Sequence, residues 1–98
     1  RQDNAEAQCE LGICYETGKG VGRDESRAGE WFEKAAERGN AKAQYKLGVR
    51  YELGVGGCCD YDKADELLKK AAAQGYEDAR KRLGIGYMIG VWLADLFK

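Results

Sequence analysis

Residues 11–18 read Leu-Gly-Ile-Cys-Tyr-Glu-Thr-Gly, residues 47–54 read Leu-Gly-Val-Arg-Tyr-Glu-Leu-Gly, and residues 83–90 read Leu-Gly-Ile-Gly-Tyr-Met-Ile-Gly. Each block begins 36 residues after the one before it. The register extends outward from these blocks. Ala7, Ala43 and Ala79 align, Asp24 and Ala28 return as Asp60 and Ala64, Lys34-Ala35-Ala36 returns as Lys70-Ala71-Ala72, and Gly39 returns as Gly75. A fixed period of this size marks stacked supersecondary units, each too small to bury its own apolar face. The chain is therefore read as one repeat domain over 1–98, with units at 4–39 and 40–75 and a partial third unit with a C-terminal cap over 76–98.

Within a unit the local signals spell helix, loop, helix. Ala7, Gln8, Leu11, Gly12 and Tyr15 share one face at helical spacing, which predicts a helix from Ala5 to about Glu16. Gly18, Gly20 and Gly22 then break it. Asp24 is placed to cap a second helix, whose apolar stripe is Ala28, Trp31, Phe32, Ala35 and Ala36. Gly39 stands where a helix needs a left-handed residue to end. The second unit repeats this plan over 41–53 and 60–74, closed by Gly75. The expected fold is all-α, a solenoid of paired helices.

Composition narrows the functions. The chain has 98 residues, 34% of them charged, and a formal net charge of −1. Nothing in that balance attracts a phosphate backbone, so nucleic acid is not an expected partner. No apolar run reaches the roughly 18 residues that membrane insertion requires. The first residues, Arg1 to Asn4, hold no initiator Met and no apolar signal core, which reads as a fragment or a processed chain. There is no His, so the usual general base near neutral pH and the commonest metal ligand are both missing. No enzyme activity, cofactor or metal is expected. Gly18-Lys19-Gly20 lacks the spacing and the Ser or Thr of a phosphate loop, and the glycines at 84, 86 and 90 follow no strand.

The structural repeat positions are Leu11, Gly12, Tyr15 and Gly39, then Leu47, Gly48, Tyr51 and Gly75, then Leu83, Gly84 and Tyr87. Together with Asp24-x3-Ala28 and Lys34-Ala35-Ala36, this pattern resembles the Sel1-like repeat, a relative of the tetratricopeptide repeat with a longer inter-helix loop. The likeness covers the chain up to Gly90, with departures at Gly57 for Val21 and Leu67 for Trp31. It implies a right-handed α/α superhelix and an adaptor or scaffold that binds a partner protein. A purely structural segment of a longer repeat protein is the alternative. Some cysteine-rich relatives imply a remote third, weak β-lactam hydrolysis, but no Ser/His, Cys/His or metal constellation supports it here.

In such solenoids the first helices line the concave side. With Leu11 and Tyr15 turned to the paired helix, the opposite side carries Glu6, Cys9, Glu10, Ile13 and Thr17. Ile13, Val49 and Ile85 form an apolar ladder in register, flanked by Tyr45, Lys46, Lys81 and Arg82. That texture suits a partner peptide or helix, or else an inter-repeat seam. The sign change from Glu10 to Lys46 to Arg82 would favour acidic ligand residues at one end. Trp92, Leu93, Leu96 and Phe97 form a further apolar edge, either a cap or a surface for self-association.

The four cysteines ignore the period. Cys9 and Cys14 lie about 140° apart around one helix, and Cys58 and Cys59 are adjacent in a loop. Free thiols in a reducing, cytoplasmic setting, a Cys14–loop disulfide and a metal site are the three readings. Gly12 and Gly48 sit beside a buried-face Leu and cost about 0.8–1 kcal/mol in helix propensity. Close helix approach, with Ala28 or Ala64 opposite, would justify them. Gly48→Leu should therefore unfold the domain by overpacking; an unchanged thermal midpoint would remove Gly48 from the helix interface.

Overall fold

The computed structural model describes residues 2–55 and 59–83. Helix α1 (Gln2–Thr17) is followed by α2 (Glu25–Glu37), α3 (Ala41–Leu53) and α4 (Tyr61–Ala73), and residues 77–83 are helical again. Among the described residues there is no strand. Helix α1 packs on α2 and α3 on α4, while α2 packs on α3, so two helical hairpins stack as an all-α solenoid.

The helix ends follow from capping chemistry. Asp24 and Asp60 are extended, with φ of −152° and −139°, and their carboxylates accept from the amides of Arg27 and Lys63, both at 3.1 Å. Asn40 caps α3 by accepting from the Ala43 amide at 2.8 Å. At the far ends, Gly39 and Gly75 have φ of +91° and +86°. The amides of Gly39 and Asn40 donate back to Ala36 and Ala35 at 2.9 and 3.1 Å. Gly75 and Tyr76 repeat this on Ala72 and Ala71 at the same distances. This is a Schellman closure, which satisfies carbonyls the helix would leave orphaned.

Gly12 and Gly48 are the points of closest approach within each hairpin. A Cβ on Gly12 would stand 2.7 Å from the Phe32 ring, and one on Gly48 would stand 3.0 Å from Leu68 Cγ and 3.2 Å from the Ala64 carbonyl oxygen. Phe32 and Leu68 are 36 residues apart, so the second helix fills each glycine notch with a large side chain. The expected opposite residues, Ala28 and Ala64, are buried in the same packing. Tyr15 and Tyr51 lie under the cations of Arg27 and Lys63, again in register.

Leu11 departs from expectation. It does not face its paired helix, but is 37% exposed, whereas Leu47 at the matching position is 8% exposed. The glycine occupies the face toward the paired helix. The neighbouring leucine points about 100° away, toward the preceding hairpin in α3 and toward solvent in α1. Phe32 is fully buried and cannot retreat from an added methyl. Overpacking costs about 1–3 kcal/mol and alanine regains about 1 kcal/mol of propensity. Gly12→Ala should thus lose up to about 2 kcal/mol in urea unfolding; a gain in stability would contradict the close contact.

Candidate functional site

Three helix segments converge on one guanidinium. Arg50 on α3 is 7% exposed, yet carries a charge. Its Nη1 donates to Glu25 Oε1 at 2.9 Å and lies 3.6 Å from Glu16 Oε2, while Nη2 donates to the Glu25 carbonyl. The guanidinium stands 5.7 Å from the Phe32 ring centroid. Arg50 therefore ties α3 to the end of α1 and the start of α2, joining the two hairpins. A planar fork with several donors suits such a buried junction. The position carries Cys14 in the first unit and Gly86 in the third. Because it does not repeat, the period gave no signal for it.

Beside Arg50 opens a cleft of about 280 Å³. Tyr45, Lys46, Val49 and Leu53 of α3 line it together with Val55, Glu16, Arg23 and Glu25. Leu53 is 63% exposed. The cleft thus pairs an apolar floor with a half-exposed charge cluster.

Three of the residues singled out from sequence, Tyr45, Lys46 and Val49, meet in this cleft. Ile13 and Val49 are half-buried and pack against the cores of the first and second hairpins respectively, so the ladder also seals seams between units. Tyr45 is tilted against Tyr76 with ring centroids 5.3 Å apart. Lys81 is exposed, and Ile85 lies outside the described residues. So do Gly84, Tyr87, Trp92, Leu93, Leu96 and Phe97. Cys9 does not line an open face: it is buried with Ala28, Phe32 and Leu47, because that side of α1 meets the next hairpin.

The charges also differ from expectation. Lys46 is held by Glu16 at 3.2 Å, Arg82 by Glu52, and Lys42 lies 3.9 Å from Glu10. The sign change along the first helices is therefore matched between neighbouring units rather than left open to a ligand. The sequence carried a usable signal. Glu16–Lys46 and Glu52–Arg82 are each 30 residues apart, one period from each other. The Gln74 amide donates to Gln44 across the same separation at 2.9 Å.

The comparisons with known proteins agree with this geometry. A family model, the Sel1 repeat, matches residues 5–40 and again 41–76. The chain belongs to the Sel1 repeat family. A Sel1 repeat protein from Oxalobacter formigenes is similar at 48% identity with a TM-score of 0.78, over 81% of this chain and 59% of that one. A second similar structure is c5321, a protective antigen present in uropathogenic Escherichia coli strains and displaying an SLR fold. It matches at 35% identity with a TM-score of 0.80, over 91% of this chain and 19% of that one. The chain thus spans about a fifth to three fifths of these relatives' lengths. No curated protein matches it.

Within the Sel1 hairpins, Cys9, Cys14 and Cys59 are free thiols, and Cys58 lies outside the described residues. Burial pushes the Cys9 thiol above its ordinary pKa, with Lys42 pulling weakly the other way, so its reactive thiolate is disfavoured. Among the described residues no group of three or more His, Cys, Asp or Glu is placed to hold a metal ion. No described helix is long and apolar enough to cross a membrane.

Glu25 is the carboxylate of the inter-hairpin junction that accepts hydrogen bonds from both Arg50 and Arg23. Hydrogen bonds from Arg50, then Arg23, hold its carboxyl below the ordinary carboxylate range. A lowered folded-state pKa contributes stability above the unfolded value of about 4.3, lost as pH falls through the folded value. The wild-type chain should therefore lose stability below about pH 4 more steeply than Glu25→Gln. Superimposable pH–stability curves from thermal melts would mean that the junction carries no linkage.

Proposed function

We propose that the chain is a protein-interaction module that holds a partner peptide or helix in the cleft beside Arg50. Interaction is the general role of Sel1 repeats, which supports the class of function. One observation about this chain supports the place. The cleft is lined mostly where the two units differ, while the alanines and glycines of the buried packing stand where they agree. Tyr45, Lys46, Arg50, Leu53 and Val55 take the positions of Cys9, Glu10, Cys14, Thr17 and Lys19. Architecture needs the periodic positions; a specific partner needs positions that are free to differ.

The lining suggests what the partner presents. Leu53, Val49 and Val55 offer an apolar seat, and an exposed leucine on a concavity gains most from being covered. Lys46 is only partly shielded by Glu16, so a partner carboxylate can compete for it at the rim. The reading is therefore an apolar anchor flanked by an acidic residue.

Leu53 is the sound probe, because Tyr45 and Val49 also support the hairpin packing. A peptide selected on the immobilised chain from a random library should bind Leu53→Asp about tenfold more weakly in fluorescence anisotropy, since a cleft leucine carries about 1.5 kcal/mol. The melting temperature should not change. Full affinity in Leu53→Asp would place the partner elsewhere.

A further inference from the structure

Arg50 has a hollow on each side of it. At about 100° per residue around α3, Tyr45, Lys46, Val49 and Leu53 turn to the cleft, Leu47 and Tyr51 turn to the opposite side, and Arg50 stands between. The second hollow is a groove of about 270 Å³ between α2 and α3, with Leu47, Tyr51 and Val55 as its floor and Gly29, Glu30 and Glu33 as its α2 wall. The two differ in charge. Two carboxylates and three cations line the cleft, whereas three carboxylates and one guanidinium line the groove. Glu25 and Arg50 belong to both and are paired, which leaves Glu30 and Glu33 as the groove's own charge. Both are exposed, and among the described residues neither makes an ion pair. Three apart on one helix, they repel each other.

Exposed carboxylates alone are ordinary on a helix face. These two border an apolar floor, and the groove recurs. A second one, of about 380 Å³, has Leu83 where the first has Leu47, and Asp62 and Asp65 on the α4 wall. It too holds three carboxylates against one cation, although Lys69 and Arg82 pair with Asp65 and Glu52, so the first groove has the larger unmatched charge. We propose that the first groove seats a basic segment of a partner protein, whose lysine or arginine stems lie on Leu47, Tyr51 and Val55 while their cationic heads meet Glu30 and Glu33. A long basic side chain has both parts that this lining asks for, a methylene stem and a charged tip. Its charge also relieves the repulsion between the two glutamates. Nucleic acid and anionic lipid are repelled by the same carboxylates. The seat is independent of the cleft and opposite to it in the charge it selects.

The probe is a fluorescein-labelled peptide of alternating Lys and Leu, titrated with the full chain in fluorescence anisotropy at low ionic strength. Glu30→Gln with Glu33→Gln should weaken binding about tenfold, since each exposed charge contact carries a few-fold. The melting temperature of this variant should not fall, because the pair it removes is repulsive. Glu6→Gln with Glu77→Gln takes the same charge from exposed positions outside the groove and should bind as the wild type does. Leu53→Ala, which strips the cleft and not the groove, should do the same. Equal weakening by the Glu6 and Glu77 pair would mean diffuse attraction to the chain's acid, and weakening by Leu53→Ala would put the peptide in the cleft. An alternating Glu and Leu peptide that binds as tightly would leave Glu30 and Glu33 no part. Each of these overturns the proposal. So does a dimer of the chain in sedimentation equilibrium that the Glu30 and Glu33 variant no longer forms, which would give the groove to a second copy.

Discussion

The contact of a glycine backbone with a large side chain across each hairpin is the constraint on which the fold depends. Gly12 receives Phe32 without room for a methyl group, and Gly48 receives Leu68 in a contact tighter than an ordinary methyl would make. The helices can approach only at these notches, and their separation there sets how the remaining positions meet. Alanines then fill the seam between hairpins: Ala28, Ala35, Ala36 and Ala43 are buried together in one cluster. A seam made of alanine is narrow. It buries little apolar area per residue, so each unit relies on its neighbour for shelter.

A thin apolar seam gives the polar contacts a defined task. The pairs Glu16–Lys46 and Glu52–Arg82 are partly exposed, and such pairs contribute about 0–1 kcal/mol. Their main effect is on register, because a slip of one residue would turn each charge away from its partner. Arg50 differs in kind. It is buried, makes three polar contacts with the preceding hairpin, and lies near the face of Phe32. Losing either side of such a junction leaves a charge with poor solvation, so the arrangement favours one mutual placement of the hairpins over near alternatives.

The architecture was legible in the sequence because it is periodic. The glycine-bounded hairpins, the Asp24 and Asp60 caps, the Gly39 and Gly75 turns and the small-residue approach at Gly12 and Gly48 all repeat. Spacing alone does not fix the facing of Leu11, because a helix in a solenoid has three neighbours: its partner, the preceding hairpin and the following one. Periodicity marks a residue as apolar without saying which neighbour it meets. Cys9 is buried rather than open for the same reason. The candidate site was legible only in part. Tyr45, Lys46 and Val49 share a helical face that the spacing reveals, whereas Arg50, Leu53 and Val55 stand against Cys14, Thr17 and Lys19, and the period carries no signal for them. The ion pairs were accessible in principle, through a second separation nested inside the period.

Positions that break the repeat gather around the cleft, and their placement bears on how it would bind. Arg50 anchors α3 against Glu16 and Glu25 before any partner arrives, so the wall that carries Val49 and Leu53 is already fixed. A partner then meets a preformed surface and loses little free energy in ordering it. The Glu16–Lys46 pair next to the cleft remains partly exposed and can exchange a charge with a ligand without disturbing the alanine seam. The rigid part of the junction is the buried one and the adaptable part is the exposed one. A recognition surface on a repeat scaffold requires that division, because the scaffold has few apolar contacts to spare if binding forces it to move.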